Sequence, residues 1–128
     1  MVKYLDAEEI LLIHHQLIKR FGGLHGTRNL EQIRSVAIAP AQHVFDNKQY
    51  KSIFDKASVY ARNIILDHPF YDGNKRTGIT TAIMFLMKND YKFSAQPGEI
   101  EEFAFKIAVN KLGIKEISTW LEKHVSSV

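Results

Sequence analysis

The chain is 128 residues long, 45% hydrophobic and 24% charged, which suits one globular domain over residues 1–128 and excludes a fibrous or disordered chain. It has no cysteine, so disulfides, thiolate metal sites and a cysteine nucleophile are excluded together. Seventeen Lys and Arg against 14 Asp and Glu leave +3, a mild bias that fits phosphate-bearing ligands as well as many proteins without an anionic partner, and no basic stripe stands out to mark a nucleic-acid binder.

Met1–Asp6 lacks the apolar run of a signal peptide, and no later run is long enough to span a membrane. The expectation is a cytoplasmic protein with no membrane contact and no direct nucleic-acid binding. Asp6 followed by Glu9 is close to a capping box and predicts a helix with Ile10, Ile13 and Leu17 on one face, flanked by Leu11 and Ile18. Phe21-Gly22-Gly23 ends it. Leu24 to Arg28 reads as loop. Asn29 caps a short helix through Leu30, Ile33, Val36 and Ala37, which Pro40 stops. Residues 41–50 have no clean period and read as a short helix or an irregular flap. Ile53, Ala57, Tyr60 and Ile64, widened by Phe54, Ala61 and Ile65, predict a long helix. It ends near Asp67, because His68 precedes a proline and is pushed out of the right-handed helical region.

A second long helix starts at Asn74 or Lys75, buries Ile79, Ala82, Ile83, Leu86 and Met87, and ends at Asn89-Asp90. Tyr91 to Ala95 alternates and allows a short strand. Pro97 suits the first turn of a helix with the stripe Ile100, Phe103, Ala104, Ile107 and Ala108, ending near Gly113. A last helix carries Ile117, Trp120, Leu121 and Val125. Tyr60, Phe85, Phe103, Phe105 and Trp120 are expected in the core, and His25, His43 and His124 at the surface. His14 and His15 are adjacent, face different ways and make no two-ligand site. The expected fold is all-α: a compact single-domain bundle of about six helices with at most a token β-hairpin.

The stretch His68 to Gly78, HPFYDGNKRTG, lies between the two longest helical patterns. Asp72-Gly73 permits a tight turn, after which the first N–H groups from Asn74 onward have no intrahelical acceptor. Those donors and the helix dipole favour a phosphate, and Lys75 and Arg76 add positive charge beside it. Asp72 is a hard oxygen ligand suited to Mg²⁺, which binds through one or two carboxylates plus substrate phosphates. His68 can accept a proton at neutral pH. Pro69 stiffens the chain next to it and Phe70 is the apolar anchor. Base, metal ligand and phosphate cradle are the parts that phosphoryl or nucleotidyl transfer requires. The residues alone also permit plainer roles: Asp72-Gly73-Asn74 is a common turn signal, and Asp72 or Asn74 could merely cap the helix. The GxxxxGK[ST] spacing of a phosphate-binding P-loop is absent.

HPFYDGNKRTG resembles the active-site motif of the Fic family, His-Pro-Phe-x-(Asp/Glu)-Gly-Asn-(Gly/Lys)-Arg, at every fixed position. Outside it, FGGLHGTRNL, the Pro40 region and the helix order resemble the Doc (death-on-curing) branch. The resemblance implies a bundle of about six helices with the motif loop between two central ones. It implies that His68 takes the proton of a target hydroxyl and that Asp72 coordinates Mg²⁺ on ATP. It also implies that Gly73, Asn74, Lys75, Arg76 and Thr77 hold the nucleotide's phosphates, with Pro69 and Phe70 structural. Lys75 stands where AMP-transferring members have glycine. In Doc-like members a lysine there goes with a reversed nucleotide and with γ-phosphate transfer to a protein hydroxyl. Gly73 leans the other way, since Doc-like sequences can have alanine at that position. The alternative is therefore AMP transfer.

The implied partners are a protein substrate with a Ser or Thr hydroxyl, approaching His68 beside a flap within residues 41–50, and a small antitoxin acting in trans. The family's inhibitory pattern, (Ser/Thr)-x-x-x-Glu-(Gly/Asn), is only partly met, by Thr27 with Glu31 and by Ser118 with Glu122. Two readings of other classes compete. A helix-turn-helix DNA binder needs a basic recognition helix, and the helix after Arg76 turns apolar (ITTAIMFLM). A pseudoenzyme that only binds a partner conflicts with the intact His68, Asp72, Asn74 and Arg76.

Overall fold

The computed structural model describes residues 1–44 and 47–128. It contains six α-helices: α1 (Ala7–Phe21), α2 (Leu30–Ile38), α3 (Ile53–Asp67), α4 (Asn74–Lys88), α5 (Glu99–Asn110) and α6 (Ile114–Lys123). The all-α expectation is met. The extended pieces are β1 (His43–Val44) with β2 (Asn47–Lys48), and β3 (Tyr91–Phe93) with β4 (Val125–Ser127), both pairs antiparallel. The second pair joins residues distant in sequence, which local alternation cannot reveal.

Helix α3 is the axis of the bundle. Lys56 to Ala61, Ile64 and Ile65 are all buried, and α3 packs most extensively on α4, then on α6 and α2. The approach of α3 to α4 depends on Gly78: a Cβ there would lie 2.6 Å from Ile65 Cγ1 and 2.9 Å from the Ala61 carbonyl. Ile33, Tyr60, Ile64, Phe70, Ile79, Phe85, Ile107 and Ile117 form the centre of the core. The Tyr60 hydroxyl donates to the Leu5 carbonyl (3.2 Å) and accepts from Leu5 N–H (2.9 Å), tying the N-terminal segment to α3.

Several sequence expectations need correction. The buried face of α1 is Ile10, His14 and Ile18, one residue per turn, and Ile13 and Leu17 flank it. Met87 and Phe105, expected in the core, are 51% and 60% exposed. Val125 belongs to β4, not to a helix, because α6 stops at Lys123. Gly98, with φ of 86°, caps α5, so Pro97 precedes the helix. Pro40 does not stop the chain abruptly; α2 runs on into a 3₁₀ turn over Ala39–Ala41. His124 is half-buried, stacked on Trp120 with centroids 4.0 Å apart, its Nε2 3.0 Å from Glu99 Oε2.

In the segment read as a short helix or flap, two short stretches pair antiparallel, with His43 opposite Lys48 and Val44 opposite Asn47; residues 45 and 46 lie outside the described residues. Both ends of the segment are gripped by Lys56, a side chain only 1% exposed whose Nζ donates to the carbonyls of Pro40 (3.1 Å) and Tyr50. Its ammonium also lies 5.6 Å from the centroid of the Tyr4 ring. Lys56 sits in the first turn of α3 and His68 follows the last, about 18 Å away along the helix axis. The ends of this segment are therefore held near the start of α3, and His68 follows its other end.

Candidate active site

The loop from His68 to Gly73 reverses the chain between α3 and α4. His68 caps α3 in a left-handed conformation (φ 51°, ψ 57°). A non-glycine residue held there costs on the order of 1–3 kcal/mol and persists where neighbours over-determine it. Those neighbours come mostly from residues 26–29. The Pro69 carbonyl accepts from Arg28 N–H (2.8 Å) and Asn29 N–H (3.0 Å), Tyr71 N–H donates to Gly26 (3.4 Å), and Thr27 bridges Phe70. Phe70 is 1% exposed. The Asn74 side chain reaches back and pairs with both backbone groups of Phe70, its Oδ1 accepting at 3.0 Å and its Nδ2 donating at 2.9 Å. Asn74 thus acts as a clamp on the loop as well as the first residue of α4.

Gly73 caps α4 with φ of 76°, and no side chain caps that helix end. Its glycine has a local cause: a Cβ would meet Ile18 Cδ1 at 3.0 Å in an already left-handed backbone. The Asp72 carboxylate is oriented by two amides. Its Oδ1 accepts from Gly73 N–H (2.9 Å) and its Oδ2 from Leu24 N–H (3.0 Å). Each oxygen retains a lone pair, and the residue is exposed.

A cavity of about 530 Å³ opens where α1, α4 and α5 meet. That volume lies within the range of small-ligand clefts. Asp72, Gly73, Asn74, Lys75 and Arg76 form one wall; Leu17, Phe21, Ile100 and Phe105 form an apolar wall. The Arg76 guanidinium lies 3.8 Å over the Phe21 ring and 3.5 Å from Glu101 Oε2. The carboxylate at Arg76 is thus that of Glu101, which the sequence reading missed. Glu31 pairs instead with Arg34, and Glu122 is an exposed residue of α6.

The structure gathers Asp72 to Arg76 around one cavity and leaves two expected residues out of its lining. His68 is exposed at the far end of the loop, with no hydrogen bond to its ring among the described residues. Thr77 is fully buried behind the helix start, and its Oγ1 has no hydrogen-bond partner among the described residues. It does not belong to the cradle's surface, because as the fourth residue of α4 it follows the first open turn. His14, considered in the sequence only as half of a two-ligand pair, sits directly under the loop. Its ring stacks on Phe70 with centroids 3.8 Å apart and planes 5° apart, and its Nε2 is 2.8 Å from the Asp72 carbonyl oxygen. Burial holds its pKa below the ordinary imidazole value, against the raising effect of that hydrogen bond. The signal was available: His14 falls midway between Ile10 and Ile18 on the buried stripe.

Among the described residues no three His, Asp or Glu side chains gather as a ready metal site. A metal here would use Asp72 and oxygens of its substrate, the manner of Mg²⁺. No helix among the described residues is long and apolar enough to cross a membrane.

The chain is 23% identical over 122 residues to Protein kinase doc of Escherichia phage P1, covering 95% of each chain. It is 30% identical over 95 residues to Toxin Doc of Mycolicibacterium smegmatis, covering 74% of this chain and 71% of that one. The model of the Fic/DOC family matches residues 4–86, from before α1 to near the end of α4. With that match over most of the helical frame and the whole of the loop, the chain belongs to the Fic/DOC family.

Proposed function

We propose that this chain is a Doc-like toxin that transfers the γ-phosphate of ATP to a Ser or Thr hydroxyl of a target protein. The observation that carries the reading is the start of α4: an uncapped helix N-terminus with Lys75 and Arg76 in its first turn, opening into a cavity of nucleotide size. The amides of the first turn and Arg76 hold phosphate oxygens, and the apolar wall with Phe21 and Phe105 receives the nucleoside. Mg²⁺ bound at Asp72 would neutralise charge on the phosphates. His68 takes the proton from the target hydroxyl; its oxygen bonds to the γ-phosphorus, the bond to the bridging oxygen breaks, and ADP leaves. Lys75 stands in the cavity wall, which supports a site that presents the γ-phosphate. Gly73, which favoured AMP transfer in the sequence, is accounted for by its own backbone and by Ile18, so it no longer supports that alternative.

The names of the two relatives, one a kinase and one a toxin, support the same reading and a small antitoxin as partner. Phe105 and Val109, one turn apart on α5 and both 60% exposed, leave an apolar strip that such a partner could cover. The test is transfer in vitro from ATP labelled separately at the α- and γ-phosphates, with candidate target proteins. Label from the γ-phosphate alone, lost by about 10²–10⁴-fold in His68→Ala, supports the kinase. Label from the α-phosphate makes the chain an adenylyltransferase.

A further inference from the structure

We infer that His14 is a positioning residue for the phosphate cradle: from α1, its Nε2–H sets the peptide unit between Asp72 and Gly73. The inference rests on the reading of that site as a phosphate cradle.

Helix α1 turns Ile10, His14 and Ile18 inward, and the lower two of these form the floor under the loop. Ile18 meets Gly73 through its Cδ1. The His14 ring is 3% exposed and lies flat against Phe70, so its plane is fixed. In that plane Nε2 points at the Asp72 carbonyl oxygen, 2.8 Å away. A carbonyl oxygen only accepts, so the proton is on Nε2.

The peptide unit that receives this bond carries the chemistry on its other side. Its N–H, on Gly73, donates to Asp72 Oδ1 and so aims the carboxylate. Gly73 is the cap of α4, and its own carbonyl accepts the first intrahelical bond, from Thr77 N–H at 2.9 Å. Rotation of this one peptide would turn the Asp72 carboxylate and the first amides of α4 together. Gly73, lacking a Cβ, is free to make that rotation. A phenylalanine or leucine at position 14 would fill the floor equally well and leave the carbonyl without its donor. Packing alone therefore does not account for a histidine here.

The experiment uses the full chain and three measurements. In the parent, nuclear magnetic resonance should find the His14 ring protonated on Nε2; a ring protonated on Nδ1 alone overturns the inference. His14→Phe keeps a ring against Phe70 and removes the donor. Amide exchange at Gly73 to Arg76 should then become about tenfold faster while α6 amides stay unchanged, and affinity for MgATP should fall about tenfold. His14→Gln restores an N–H without the ring and should recover most of that affinity. Parental exchange in His14→Phe overturns the inference whatever MgATP does. Parental affinity despite faster exchange also overturns it, as does equal loss in both variants with protection lost throughout the chain. If the parent itself binds no MgATP, the phosphate reading of the site fails. Locally faster exchange would then show His14 setting a loop with some other task.

Discussion

Helices α1 and α4 begin in opposite ways. Asp6 caps α1, accepting from Glu9 N–H at 2.9 Å, and Glu9 Oε1 accepts from Asp6 N–H at 3.1 Å. Glu8 and Glu9 complement the dipole, so that end is satisfied by its own residues. Helix α4 has glycine as its cap, no side-chain acceptor, and Lys75 and Arg76 where the dipole favours acids. Each of the other five α-helices has an acid in its first turn; α4 has none. The difference teaches that nothing in the first turn of α4 answers the helix dipole, and the phosphate proposal rests on that feature.

Breaking the open end should be felt in binding. Arg76→Ala removes a charge-assisted contact to phosphate and should weaken MgATP binding by about 10- to 100-fold. Its effect on thermal stability should be small, because the pair with Glu101 is 3.5 Å long and the Phe21 ring that Arg76 stacks on is itself largely exposed. Calorimetric titration and a thermal melt of the same sample check both halves. Breaking the closed end should do the reverse. Asp6→Ala should destabilise the protein by about 1 kcal/mol in denaturant unfolding and leave MgATP affinity at the parental value.

How much of this could be read from the sequence follows from what local pattern encodes. The α1 cap, the glycine stop, the span of α3 and the start of α4 are set by nearby residues and were legible in order. What pattern misses is polar chemistry inside an apolar stripe. His14 and Lys56 occupy stripe positions but do not count as apolar, so the floor of the loop and the anchor of the β1–β2 pair were invisible. Phe105 and Met87 fail for the opposite reason: they are apolar, yet lie where no element covers them. The loop's own residues were legible as a set, but their division of labour was not. That Asn74 clamps Phe70 and that Thr77 is buried depends on where α4 meets its neighbours. The Glu101 contact to Arg76 spans 25 residues between separate helices and leaves no local trace.

The smallest expected effect concerns a region far from the loop in sequence. At the start of α5, Gln96 N–H donation and then the His124 ring hold the Glu99 carboxyl below its ordinary range. A carboxylate whose pKa is lower folded than unfolded stabilises the protein above its unfolded pKa, and that stability is lost as pH falls through the folded value. Glu99→Gln should therefore lower stability slightly near neutral pH, match the parent at low pH, and so flatten the fall in stability below about pH 4.5. Denaturant midpoints measured across pH 3–7 check the sign.

The central claim is that α4 keeps its N-terminus open for phosphate, and Lys75→Glu tests it most directly. The substitution gives α4 the acidic first turn that the other helices have. Calorimetric titration with MgATP, beside a melt without ligand, should show the two properties moving apart. The ligand-free variant should be as stable as the parent or up to about 1 kcal/mol more so, while MgATP affinity falls by at least about tenfold. Undiminished MgATP affinity in Lys75→Glu would contradict the account.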